Sequence, residues 1–414
     1  MNDDLVSLPQ VQRELSTTRS TLYRLLREES IRPVRRAGSG KRSYISRAEV
    51  ELVRQALTST RPRTRWVEVV HWLHQFGLTP GTLVSNAEIT AGRATSTADI
   101  LGWLTYFEET GFRPQLSPEA RDIFALDARP LSLKAGAEAQ DPTLGRSNPD
   151  DVRAAAELAA MLGLLDRYES GELSVRYSLP LSLSSHIVSW GNPVSNVVAR
   201  LIYQAKRIGG EQFRVVDPAL DPPFRWVTDD AERASLEVGR RPLQYWLRTA
   251  DGRPVLRARR SNTVLVRETD AGPVVFEPET DAAGNLTSDL LLVSRLPNIL
   301  GNREPALENS IILFSGTHGP GSRASTMLLA NTSPSRKGLE QLSLRIEKSG
   351  ARWFQALFAV RLEQGEQYLE PASLSPAVGR GGEEDLWFAQ VDVTAEGLRQ
   401  ARDQLASLSV AYRT

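Results

Sequence analysis

Two groups of residues have types and spacings suited to chemistry. In the first, Arg19, Ser20, Thr21, Tyr23, Arg24 and Arg27 share a short segment with the apolar residues Leu22, Leu25 and Leu26. On a helix the apolar residues would face inward, leaving the polar ones on the outer side. A guanidinium fork can bond guanine bidentately, and hydroxyl groups can bond phosphates or base edges. Downstream, Arg35, Arg36, Lys41 and Arg42 flank Gly38-Ser-Gly40, a tight-turn signal. From Arg32 to Arg47 there are six basic residues and no acidic one. The chemistry implied is capture of a polyanion.

The second group comprises two glycine-rich junctions. A strand-like run ending at Trp190 enters Gly191, Asn192 and Asn196. Another, Ile311-Ile-Leu-Phe-Ser, enters Gly316, Thr317, His318, Gly319, Gly321, Ser322 and Arg323. Glycine lets backbone approach a ligand closely, and N–H groups at a helix start favour anions. Ligands of open α/β sheets sit where such loops leave the strands. The loops therefore suggest a small-molecule or nucleotide effector, against the alternative that the glycines serve only tight turns. The Gly-x-x-Gly-x-Gly spacing is neither a Walker A loop nor a dinucleotide fingerprint. No carboxylate or nucleophile stands beside His318 in sequence, so no catalytic residue is assigned.

These residues need elements to position them. Ser7, with Pro9 and Gln10 behind it, predicts a capped first helix with Leu8, Val11 and Leu15 facing inward. Ser16-Thr17-Thr18 breaks the pattern, and a second helix runs from about Arg19 to Glu29. A basic hairpin follows, and Ser46 with Glu49 predicts a capping box opening a third helix through about Leu57. This order, with Arg19-Ser-Thr-Leu-Tyr-Arg-Leu25 and Tyr44-Ile-Ser-Arg-Ala-Glu-Val50, resembles the excisionase-like, MerR-type winged helix-turn-helix family over roughly residues 5–57. The resemblance implies a second helix in the major groove and a wing on the flanking backbone. DNA contact would then fall to Arg19, Ser20, Thr21, Tyr23, Arg24, Arg35, Arg36, Lys41 and Arg42. Regulators of that family usually continue into a dimerising coiled coil, but no sustained heptad appears here.

The 414 residues carry 50 basic and 50 acidic side chains, but these are segregated. Residues 1–66 hold fourteen Lys/Arg against seven Asp/Glu, and residues 67–182 hold nine against sixteen. That asymmetry turns the N-terminal end toward a polyanion. Cysteine is absent, which removes disulfides and thiolate metal sites. His71 and His74 lack a third ligand, so neither metal nor cofactor is expected. No signal-like or membrane-spanning run is seen, so a cytoplasmic, nucleoid-associated protein without membrane contact is expected.

The middle reads as acidic and helical. A second helix-turn-helix pattern spans 83–111, but Asp99, Glu108 and Glu109 would repel phosphates, so a connecting or dimerising role is expected. A helix at 150–165 opens with acids suited to its positive end. Past residue 183, alternating strands and helices predict an α/β domain with a mainly parallel sheet. The overall expectation is a multidomain α+β chain, divided into 1–60, 61–182 and 183–414. It would be a homodimeric, sequence-specific binder of double-stranded DNA, a transcriptional regulator with a C-terminal sensor. The alternatives are a DNA-directed enzyme, with Asp217, Asp221, Asp229 and Asp230 as magnesium ligands, or a replication, segregation or recombination factor.

Overall fold

The computed structural model describes residues 5–15, 22–23, 26, 31, 33–35, 43–59, 95–127, 131–134, 148–163, 186–203, 205–209, 212–215, 220, 222–239, 241–248, 254–261, 263–299, 309–365, 368–380, 384–394 and 396–398. The chain divides into two compact units, Met1–Glu68 and Val69–Thr414. Together they make a mixed α+β protein. Among the described residues no helix is long and apolar enough to cross a membrane.

In the first unit, β1 (Leu5–Ser7) leads into α1 (Leu8–Glu14), and β2 (Val34–Arg35) and β3 (Ser43–Ser46) lead into α2 (Arg47–Ser59). β3 lies between β1 and β2, antiparallel to both. Leu8, Val11, Leu22, Leu26, Ile31, Ile45, Val50 and Val53 share one core, with Leu15 packed against it. Leu22 and Leu26 are buried, whereas Tyr23 between them is 42% exposed, which is the sidedness expected of the second helix. β1 was not anticipated, because three residues are too few to show a period. It also changes Ser7: this residue pairs with Tyr44 in the sheet, and its side chain makes no capping bond.

The box expected at the third helix does form. Glu49 accepts from the Ser46 backbone N–H at 2.7 Å, and the Glu49 N–H donates to Ser46 Oγ at 3.2 Å. Ser46→Ala should destabilise the first unit by about 1 kcal/mol, measurable by urea denaturation of the full chain. A cost indistinguishable from zero would mean that water replaces both bonds.

The second unit is built on one large sheet. Its helices are α3 (Thr95–Thr110), α4 (Pro118–Ile123), α5 (Pro149–Met161), α6 (Val197–Ile202), α7 (Asp230–Ser235), α8 (Gly319–Arg323), α9 (Ser325–Leu329) and α10 (Ser333–Ser349). The first strands are β4 (Leu131–Lys134) and β5 (His186–Trp190), then the hairpin β6 (Ala205–Gly209) and β7 (Gln212–Val215). β8 (Phe224–Val227), β11 (Val264–Thr269) and β12 (Gly272–Phe276) form a small sheet, and β9 (Arg241–Arg248) and β10 (Pro254–Ser261) form a separate ribbon. The large sheet is completed by β13 (Glu279–Thr280), β14 (Leu286–Pro297), β15 (Ser310–Gly316), β16 (Phe354–Gln364), β17 (Leu369–Pro376) and β18 (Phe388–Gln390).

Its main path runs β17-β16-β14-β15-β5-β4. Only β4–β5 and β5–β15 pair in parallel along it, so the sheet is mixed and the expected mainly parallel arrangement is not what forms. The reason is specific. β15 and β16 do point the same way and are joined through α8, α9 and α10, as a β-α-β pattern predicts. The antiparallel strand β14 lies between them and pairs with both. Alternation along the sequence gave the strand direction correctly, but it could not show that a neighbour would be interposed.

Trp103, Leu104 and Phe107 of α3 and Leu158 of α5 share a core with Val188, Phe314, Phe354 and Phe358. Residues on both sides of position 183 therefore contribute to one core and one sheet, since β4 pairs with β5. The last part of the 83–111 pattern is present as α3, and its role here is packing. The first part of that pattern lies outside the described residues.

Candidate functional site at the ends of two parallel strands

β5 and β15 are parallel neighbours, with Ile187 opposite Ile311 and Trp190 opposite Phe314. Their C-terminal ends therefore release both glycine-rich loops side by side. All ten residues singled out in these loops are buried together: Gly191, Asn192, Asn196, Gly316, Thr317, His318, Gly319, Gly321, Ser322 and Arg323.

Hydrogen bonds tie the loops to each other. The Gly191 N–H donates to the Phe314 carbonyl at 3.0 Å, and Ser315 Oγ donates to the Gly191 carbonyl at 3.0 Å. Asn192 Nδ2 donates to the carbonyls of Gly316 at 2.9 Å and Thr317 at 3.3 Å. Asn196 Nδ2 donates to Ser189 Oγ at 2.8 Å, while its Oδ1 accepts from the Val198 N–H at 2.7 Å. Both asparagines thus act as braces. Gly191 has φ +104°, and a Cβ there would lie 2.6 Å from Ser195 Oγ. Conformation and space both require glycine.

Asp289 of β14 stands beneath the second loop with no exposed surface. Its Oδ2 accepts from the backbone N–H groups of Gly321 at 2.7 Å and His318 at 3.2 Å. Its Oδ1 faces His318 Nδ1 at 3.1 Å and accepts from Thr317 Oγ1. Burial alone would raise this carboxyl's pKa, but the His318 charge and the bonds from His318, Thr317 and the backbone outweigh it and hold the pKa below the usual 3.8. The N–H groups that looked available for a ligand anion are taken by an internal one. A Cβ on Gly321 would come within 2.6 Å of that carboxylate, so this glycine serves the chain's own packing.

A second charged group adjoins the first. Arg323 Nη1 meets Asp150 Oδ1 at 3.3 Å, and its Nη2 meets Glu370 at 3.0 Å and the Leu369 carbonyl at 2.5 Å. Arg153 joins Glu370 at 3.3 Å to Glu157 at 2.9 Å, with its guanidinium 5.2 Å from the Trp103 ring centre. Asp150 and Asp151 open α5 as expected of acids at a positive helix end, yet both are buried. Burial pushes the Asp150 carboxyl above its usual value despite the nearby Arg323 and Arg153. On the far side of His318, the Tyr245 ring lies edge-on with centroids 6.3 Å apart.

Sequence reasoning found the loops and missed their counter-charges. Asp289 is the sole acid within Leu286–Val293, an otherwise strand-like run, and a charge at such a position signals a buried partner. Asp229 caps α7, with its Oδ1 accepting from the Ala231 N–H at 2.9 Å. That places this carboxylate in a local turn; Asp217 and Asp221 lie outside the described residues. Of the expected DNA-contact residues, Tyr23 is exposed and Arg35 lies in β2. Arg19, Ser20, Thr21, Arg24, Arg27, Arg36, Lys41 and Arg42 lie outside the described residues.

Comparison with protein-family models, with curated proteins and with solved structures returns no match for this chain.

Proposed function

We propose that this chain is a sequence-specific binder of double-stranded DNA, a transcriptional regulator whose first unit reads the duplex in the winged helix-turn-helix manner. The observation that carries this reading is the pairing of β2 with β3. It makes residues 36–42, with Arg36, Lys41 and Arg42, the connection of an antiparallel pair in a unit whose second helical segment turns Tyr23 outward over buried Leu22 and Leu26. A basic connection between paired strands, in a unit that also turns a tyrosine outward, suits backbone grip and groove readout together. The reading also implies a homodimer on a palindromic site, a nucleoid-associated location and a second unit that responds to an effector or partner. The loop donors are already engaged by Asp289, so effector contact is better sought beside that cluster than within it.

The test is selection from a genomic duplex library by the full-length protein at two salt concentrations. One enriched motif is expected, lost in the Arg24→Ala/Arg36→Ala variant. If about six phosphates are contacted, the log–log salt slope should be about −5. Salt-sensitive binding without a motif would overturn the regulator reading. Divalent-metal-dependent cleavage would replace it with an enzymatic one.

A further inference from the structure

Among the described residues the β9–β10 ribbon joins no other strand, apart from an isolated bridge between Gln244 and Asn285, and its sequence is strongly one-signed. Residues 241–261 carry six arginines (Arg241, Arg248, Arg253, Arg257, Arg259 and Arg260) against one acid, Asp251. In its register Trp246 stands opposite Leu256, and these two side chains are 42% and 43% exposed. A large ring and a leucine left in water side by side, within a basic ribbon, call for a partner.

Beside them is a cavity of about 280 Å³. Its lining combines the amides of Gln244, Asn285 and Gln364, the rings of Tyr245 and Trp246, and leucines including Leu256. Among the described residues no charged one lines it. The wall is held in place from behind. Asp281 accepts from the Asn285 backbone N–H and from Asn285 Nδ2, both at 2.8 Å, and Asn285 Oδ1 accepts from Gln244 Nε2 at 3.0 Å. The Gln244 N–H also donates to the Gly284 carbonyl at 2.9 Å.

We infer that this cavity takes a nucleobase, with the positive charge of the ribbon's sequence drawing the phosphate attached to it. Amides carry both donors and acceptors, which a base edge needs, and aromatic rings supply the stacking that any base can use. A neutral lining disfavours a ligand whose charge would be buried, whereas a base is planar, polar and uncharged. The ribbon's sequence is positive while the described lining is neutral, as expected for a ligand neutral at one end and anionic at the other. Free nucleotides and single-stranded nucleic acid share this chemistry. The site belongs to the second unit, so it does not depend on duplex reading by the first. Tyr245 lines the cavity and also lies against His318, so an occupant would adjoin the Asp289 cluster.

The test uses the full chain carrying Arg24→Ala/Arg36→Ala, to silence the first unit. Binding of a fluorescent mixed-sequence 12-mer DNA strand is followed by anisotropy, with ATP, GTP, CTP and UTP as competitors. Saturable binding is expected, weakened about tenfold or more by Trp246→Ala and restored toward the parent by Trp246→Phe. Gln244→Ala should weaken it independently. Trp246 is exposed, so an unchanged thermal melt is expected and checks that folding is intact. Competition by mononucleotides would assign the site to a free nucleotide, and binding of the strand alone would assign it to single-stranded nucleic acid. The inference is overturned if neither probe binds, or if Trp246→Ala leaves affinity within twofold.

Discussion

Replacing Asp289 by asparagine should lower the unfolding free energy of the second unit by about 3–5 kcal/mol, read from urea denaturation followed by tryptophan fluorescence. The size follows from what the carboxylate holds. It receives two backbone N–H groups, the Thr317 hydroxyl and the His318 ring in a site with no exposed surface. Asparagine offers a single acceptor oxygen and sets an NH₂ against donors, so several buried groups lose their partner at once. The pH profile has a definite sign. The folded-state pKa is depressed below 3.8, so the stabilisation is present above that value and is lost as pH falls through the lower folded value. The gap between parent and variant should therefore be present at about pH 5 and close only in stronger acid. Asp150 behaves oppositely: its folded pKa is raised, so its charged form costs stability that is recovered as pH falls through the folded value. A loss below 1 kcal/mol for Asp289→Asn would mean that water or the loop itself satisfies the donors.

This site shows how much the sequence could say. Both loops, their strands and their shared edge were legible, because a β-branched run followed by glycine and a helical period is a local pattern. The capping box at Ser46 was legible for the same reason, since three residues of separation suffice to define it. What joins the loops was not. Asp289 lies 28 residues from Thr317 and Asp150 lies 173 from Arg323, and no local period reports on such pairs. The sheet order failed at the same level. β14 enters between β15 and β16 although it precedes both in the chain, a choice made by packing and not by the strand's own residues. Ser7 failed at a smaller scale: a serine in a favourable capping position was committed to strand pairing with Tyr44.

Trp103→Ala should also destabilise the second unit by about 3–5 kcal/mol, and without splitting its transition. Trp103 is 1% exposed, with the rings of Tyr106 at 5.6 Å and Phe107 at 6.0 Å, and it belongs to the core that includes Phe314 and Phe358 of the large sheet. If residues before 183 had a core of their own, the variant would melt that part first and a second transition would emerge. With one shared core, the whole unit shifts with an unchanged denaturant slope. The ring also carries Arg153, which connects Glu157 to Glu370 and through it to Arg323. Removing the indole takes away a cation–π contact of about 2 kcal/mol at a desolvated site. The double variant Trp103→Ala/Arg153→Met should accordingly lose less than the sum of the single losses, with a coupling of at least 0.5 kcal/mol by double-mutant cycle. Strict additivity would mean that the stack contributes nothing. Coupling would show that the packing of α3 helps hold the charges that fix the glycine loops, making the helical segment part of the site's support.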